Sequence, residues 1–418
     1  MTEDDILTAS NSPAELERLY RTDPEQFTAA FPAAWARQPN SVVLLVWRER
    51  LSPSAMAAAH SPPTDRHSLP LTVVLSLATG TLVKLPAFSA ITSGWYYSRF
   101  AAPLTVVALI VYFLVRYPAP VKLTRIIALA CVVCFVYLAI LPDHPKSDTL
   151  ILSLMHMPLV LWAFLGIAFC GSEWRLVRRR IDYIRYWGEI MVYSAVVLLG
   201  GMVLTALTFA LFVLIGLDIT TWYMSYVVVY GIVASPIVAS YLYDAIQKRK
   251  TKIAPMLANV FAPLLLVTVV VYLLAMAINR TSPFSDRDFL ISLNGLLLLV
   301  LAITIFSVAE RPSFSRRNLL DTTNISLVVV TLVIDAIALS AIVFRLSSMG
   351  LTPNRLAVLG TNVLVFVHLA RLLKCYMGVV RTRSDGGPMD ALTASYIPVY
   401  SIWTAMVAFT FPLLFRFD

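Results

Sequence analysis

The sequence predicts an all-α, polytopic integral membrane protein of about eleven transmembrane helices, and three observations predict it. Hydrophobic residues make up 59% of the 418 and charged residues only 14%, with a mean hydropathy of +0.77. A soluble chain of this size carries nearly twice that share of charge. Apolar runs of bilayer length, about 20 residues, recur along most of the chain. The polar links between those runs alternate between basic and nearly neutral.

The elements follow in order. Residues 1–51 precede any span, and their opening, MTEDDILTAS, is acidic where a secretory leader is basic, so this segment is expected to stay in the cytosol. Ser12-Pro13 with Glu15, and Asp23-Pro24 with Gln26, each combine a helix cap, a first-turn proline and a box partner. A third apolar stretch, SVVLLVWRERL, is too short to span, so three short helices are expected. Residues 52–68 form a Pro- and Ser-containing linker. Two readings of the segment stay open, a stabilising cap on the cytoplasmic face and a docking module for a protein partner.

Eleven spans are expected in the domain 69–418, at 69–91, 99–116, 121–141, 149–171, 190–216, 222–243, 253–279, 289–309, 325–346, 356–380 and 393–415. One set of links holds Arg116, Lys122 and Arg125, then Arg175 to Arg185, Lys248 to Lys252, Arg311 to Arg317, and Arg381 with Arg383. An excess of Lys and Arg marks the cytoplasmic side, which puts the amino terminus inside and the carboxyl terminus outside. The net charge of +9 is thereby a topological signal, and nucleic acid is not implied. The four cysteines, two of them in CVVC at 131–134, lie in or near apolar runs and read as small buried hydrophobes.

Residues 172–189, SEWRLVRRRIDYIRYWGE, space Trp174, Val177, Ile181, Ile184 and Trp187 at helical intervals, with Arg175, Arg178, Arg179, Arg180 and Arg185 among them. The pattern predicts an interfacial helix whose guanidiniums meet anionic lipid headgroups on the inner leaflet.

Ionisable residues inside the spans are few: Lys84, His156, Asp335, His368 and Arg371, with Glu310 at a helix end. Each charged one costs about 2.5–3.5 kcal/mol to insert, so such groups face protein or water and find partners. Asp335 lies ten residues before Arg345, about 15 Å from the outer surface, and His368 lies thirteen after Arg355, about 20 Å down the next helix. Their depths are therefore similar. Arg371 shares the His368 face, Asn362 lies on the same helix, and Lys84 is a second candidate counter-ion. Asp335 is then a structural ion pair, a proton- or ion-coupling group, or a ligand-binding or catalytic group. With a charged partner, Asp335→Leu is expected to destabilise the protein.

The turn between those helices is MGLTPNR. Gly350 suits a left-handed C-cap, Thr352 an N-cap and Pro353 a first helical position; Asn354 and Arg355 complete the motif. At this Gly-Leu-Thr-Pro-Asn-Arg segment the chain resembles the bacterial polytopic membrane proteins grouped as domain of unknown function 4153. The resemblance extends more weakly to the basic segment before the fifth span and to LTALTFALFVLIGLDI at 204–219. It implies a bacterial inner-membrane location and carries no activity over to this chain.

No phosphate-binding glycine loop, H-E-x-x-H or G-x-S-x-G occurs, and the five histidines are scattered, so neither a cofactor nor a metal is expected. Many spans, short loops and a few midplane polar groups point to a permease-like carrier or flippase for a small solute or lipid. The other readings are a sensor or assembly subunit that recruits a partner through residues 1–51, and a membrane-embedded transferase using Asp335 and Arg355.

Overall fold

A computed structural model describes residues 2–51 except 11 and 40, 68–144, 147–214, 217–247, parts of 262–278, 287–309, 319–382 and 387–416. The chain divides into two compact units, Met1–Asp65 and Arg66–Asp418.

The first unit contains α1 (Glu3–Thr8), α2 (Pro13–Thr22), α3 (Pro24–Arg37) and α4 (Val42–Leu51). α2 and α3 begin on the expected prolines, and the Asp23 carboxylate accepts from the Gln26 N–H at 3.0 Å. Ile6, Leu16, Phe27, Phe31, Leu44 and Trp47 make its core. α1 was not expected from sequence, because six residues carry too little periodicity to register. It forms because the Thr2 N–H and hydroxyl both donate to the Asp5 carboxylate, at 2.7 and 3.0 Å. Those bonds hold the Asp5 carboxyl below its ordinary value of 3.8. A depressed carboxyl contributes stability that is lost as pH falls through its folded value. Amide protection in α1, measured relative to the intrinsic exchange rate at each pH, should therefore fall on acidification below about pH 4 and stay level above it, as hydrogen-exchange mass spectrometry can check.

The second unit is all helical among its described residues. Its elements are α5 (Ser68–Val83), α6 (Ser93–Arg116), α7 (Val121–Ile140), α8 (Asp148–Cys170), α9 (Val177–Leu214), α10 (Val229–Gln247), α11 (Arg287–Ala309), α12 (Leu319–Met349), α13 (Pro353–Thr382) and α14 (Gly387–Ala405). Among the described residues eight helices are long and apolar enough to cross a membrane, and two shorter apolar helices are Leu69–Val83 and Leu293–Ala309. The expected span at 253–279 falls mostly outside the described residues, as do Glu310 and the basic links at 248–252 and 311–317. α12 packs against α11 and α13, α13 packs on α14, and α14 reaches back to α8 and α9.

Two π-helical turns interrupt this regularity, at Met224–Val228 before α10 and at Met406–Thr410 after α14. A π turn breaks the regular ladder, and at the second one the Ala408 carbonyl accepts from the Tyr137 hydroxyl at 2.9 Å and from the Ser153 hydroxyl.

The basic segment differs from its expectation. Residues 177–189 are not a separate interfacial helix but the first turns of α9, which runs unbroken for 38 residues. Ile181, Tyr183, Ile184, Tyr186 and Ile190 are buried among neighbouring helices. Helical spacing of apolar residues marks a face that leaves water, and here that face meets protein rather than lipid. The arginines follow suit. Arg179 pairs with Glu173 at 3.3 Å, Arg180 donates to the Trp174 and Ala394 carbonyls at 2.9 and 3.4 Å, and Arg185 donates to the Ala309 carbonyl at 2.8 Å. Ala309 is the last described residue of α11. Arg175 and Arg178 stay exposed. Arg180→Gln should accordingly lower stability by about 1–2 kcal/mol in a thermal-unfolding assay, whereas Arg178→Gln should leave it unchanged.

Candidate functional site

The site is built on one face of α12. Its buried residues include Asp321, Asn324, Leu327, Val328, Thr331, Ile334, Asp335, Ala338, Ile342 and Arg345. Steps of three and four keep them on one side, so polar and apolar groups alternate along a stripe that never meets lipid. The Tyr376 hydroxyl donates to the Asp321 carboxylate at 2.7 Å, which fixes the antiparallel register of α12 on α13. Val328 and Leu332 of α12 share one apolar cluster with Val365 and Leu369 of α13, in keeping with that register. Counting from it, Asp335 comes level with Asn362, whereas His368 lies six residues, about 9 Å, further along. The sequence count places the two at similar depths about 5 Å apart, and this register widens the separation.

Asp335 is 0% exposed, and among the described residues neither of its carboxylate oxygens has a hydrogen-bond partner. None of the expected counter-ions is bonded to it. The Lys84 ammonium sits 4.6 Å from the centre of the Tyr226 ring, on the turn leading into α10. Arg371 lies over Tyr396, with its guanidinium 5.6 Å from the ring centre and a 3.5 Å contact to the hydroxyl. Asn362 donates to the Asn294 amide oxygen at 2.7 Å, placing an α11–α13 amide pair near the Asp335 level. His156, on α8, bonds the Leu152 carbonyl one turn back at 2.8 Å and takes no part.

His368 is also 0% exposed. Its Nδ1 meets the Tyr400 hydroxyl at 2.9 Å, its ring stacks on Tyr396 with centres 3.9 Å apart, and its Nε2 has no partner. No hydrogen bond among the described residues joins Asp335 to His368, whose partner is the α14 tyrosine. A third layer lies toward the start of α12, where Asn324 donates to the Ser307 hydroxyl at 2.8 Å beside the Asp321–Tyr376 pair.

Comparison with protein-family models, with curated proteins and with solved structures finds no match. The site therefore has to be read from its own chemistry.

The loop motif resolves into local structure. Gly350 has φ +79°, the left-handed conformation a helix end requires, and the Thr352 hydroxyl accepts from the Arg355 N–H at 3.4 Å. The Arg355 guanidinium turns back to donate to the Met349 and Gly350 carbonyls at 3.0 and 2.7 Å. It caps α12, so the transferase role considered for it competes with a structural one. Asn354 and Pro353 open α13.

A second carboxylate went unnoticed in the sequence because it stood just beyond an expected span. Asp244 on α10 accepts from the Tyr112 and Tyr117 hydroxyls at 2.7 and 3.1 Å, and Arg116 lies 3.6 Å away. It is a saturated site, the opposite of Asp335. Asn294, Tyr396, Tyr400, Asp321, Asn324 and Tyr376 were likewise missed. Uncharged polar residues within apolar runs barely alter hydropathy, and Asp321 and Asn324 stood just before the expected span at 325–346.

Proposed function

We propose that the chain is a permease-like carrier of the bacterial inner membrane, in which Asp335 takes up and releases a proton or small cation coupled to movement of a small solute or lipid. One observation carries this reading. A fully buried carboxyl with no hydrogen bond is stable only when a proton or cation neutralises it, so its retention is a cost without a structural return. The Asn294–Asn362 amides near its level and the Tyr400–His368 pair below it supply the polar surroundings such exchange needs. The loop resemblance supports the bacterial setting, and the basic links support an inside amino terminus.

The test begins with a thermal-shift screen of the purified protein against monovalent cations, amino acids, sugars and lipid headgroup analogues across pH. Hits are then followed as flux into proteoliposomes under an imposed pH gradient. At least one compound should stabilise the wild type and be carried, and Asp335→Asn should abolish the gradient dependence. Flux that is equal in wild type and Asp335→Asn would sink the proposal.

A second reading has its own observation. On α4, Val42, Leu45 and Val46 are 73%, 43% and 61% exposed, an apolar face on a unit with a complete core of its own. An assembly subunit would use that face to hold a protein partner. Deleting residues 1–51 separates the two readings, because a carrier keeps its flux and an adaptor loses a co-purifying partner.

A further inference from the structure

We infer that the buried face shared by α11, α12 and α13 is a proton path that joins the Asp321 end of the bundle to Asp335. The destination rests on the carrier reading; the route rests on separate observations. Asp321, Asn324, Thr331 and Asp335 occupy one stripe of α12 and are 4%, 4%, 0% and 0% exposed. From Asp321 to Asp335 the helix rises fourteen steps, about 21 Å, roughly two thirds of a hydrocarbon core.

The stripe begins in a connected cluster. Tyr376 donates to Asp321, and Asn324 donates to Ser307 at 2.8 Å and approaches the Tyr376 hydroxyl at 3.5 Å. From there Leu327 and Val328 interrupt it on α12 for two turns. α11 fills the gap. The Asn324–Ser307 bond sets the antiparallel register of α11 on α12, so Thr304, one turn from Ser307, falls level with Leu327. Thr304 is 1% exposed and its hydroxyl has no partner, although a hydroxyl in that position normally bonds the carbonyl four residues back. The Asn324 amide oxygen is also buried and without a partner. Free buried groups at Asn324, Thr304 and Asp335 therefore recur along one line, each suited to holding a bridging water.

A proton entering from solution binds the Asp321 carboxylate. It passes by successive O–H exchange through water bonded to Asn324, Thr304 and Thr331, and ends on an Asp335 oxygen. Each step makes one O–H bond and breaks another, with no redox change. The charged and titratable groups facing this route are few. α12 itself supplies Asp321 and Arg345, α13 supplies His368, Arg371 and Tyr376, α14 supplies Asp390, Tyr396 and Tyr400, and α9, packed on α11, supplies Arg185 at the Ala309 carbonyl and the buried Glu189. α11 supplies no ionisable group from Leu290 to Ala309, and Leu265, Leu266, Val269 and Leu273 pack in one apolar cluster with α12.

The experiment follows the Asp335 carboxyl itself and needs no solute. Its C=O stretch is isolated as the infrared difference between wild type and Asp335→Asn in nanodiscs, and hydrogen–deuterium exchange of that band is timed after dilution into D2O. Thr304→Val removes only a hydroxyl that bonds no described protein group, so it should fold normally and slow exchange about tenfold or more, equivalent to about 1.4 kcal/mol of barrier. Asp321→Asn, which can still accept from Tyr376, should do the same. Arg345→Gln, at the far end of the stripe, should leave the rate within about twofold. Unchanged exchange in both Thr304→Val and Asp321→Asn would overturn the path, as would slowing by Arg345→Gln alone. If exchange slows as expected but no compound is carried, the carrier reading fails and the path stands.

Discussion

Asp335→Leu is expected to leave the protein more stable than its parent by about 1–3 kcal/mol, and to abolish gradient-driven flux. The sequence alone argued the reverse, since a paired carboxylate strands its partner when removed. The structure removes that premise, because no described residue bonds the Asp335 oxygens. Replacing an unbonded buried polar group with an apolar one of similar size recovers its desolvation penalty and leaves no cavity. Asp335→Asn should fall between, still polar and still unsatisfied, with flux equally lost. Thermal unfolding in detergent and flux in proteoliposomes read the two halves of the prediction separately. A gain in stability joined to a loss of activity is the expected mark of a functional group held at a structural cost. A loss of a few kcal/mol in Asp335→Leu would instead reveal a partner and return the residue to a structural role.

Asp244→Leu should act in the opposite direction, costing about 3–5 kcal/mol. Here the carboxylate is the common acceptor for Tyr112 and Tyr117, and the Arg116 guanidinium beside it has a side-chain exposure of only 3%. Removing the acid strands two phenols and a cation in a low dielectric. Asp244→Asn should cost less because it still accepts from one tyrosine. Adding Arg116→Leu to Asp244→Leu should recover part of the loss, the signature of a direct pair in a double-mutant cycle. Equal instability of single and double variants would assign the loss to the tyrosines instead.

How far the sequence was legible depends on which physical signal each feature uses. Hydropathy integrates over about 20 residues, so span positions survive local error: among the described residues eight expected segments fall on helices long and apolar enough to cross a membrane, and two fall on shorter apolar helices. Asp335 stood out for the same reason, a charge in a window that otherwise has none. Depth was harder. It was counted from Arg345 and Arg355 as though both marked the surface, yet Arg345 is 8% exposed and Arg355 folds back onto α12. With both rulers displaced, His368 appeared level with Asp335, a position that Asn362 holds. The basic segment at 172–189 failed for a related reason. Periodicity reports that a face is dry, and Ile181 and Ile184 are dry against α11 and α14 rather than against lipid. Tyr400 was beyond reach altogether, because it joins the site from a helix 32 residues distant in sequence from His368.

The π turn that follows α14 has a consequence for biosynthesis. Its Ala408 carbonyl is held by Tyr137 and Ser153, separated from it in sequence by 271 and 255 residues. In a chain that enters the membrane in order of synthesis, those two hydroxyls, 3.4 Å from each other, are in place long before the Ala408 carbonyl exists. Closure of α8 against this turn must therefore wait until Ala408 is inserted, and the nascent bundle passes through a stage in which its early helices are inserted but unsealed. A stop codon shortly before Ala408 would freeze that stage, yielding a chain with an unfinished wall. Quality-control proteases that read exposed polar groups in the bilayer would meet such a product as incompletely folded, however hydrophobic it remained.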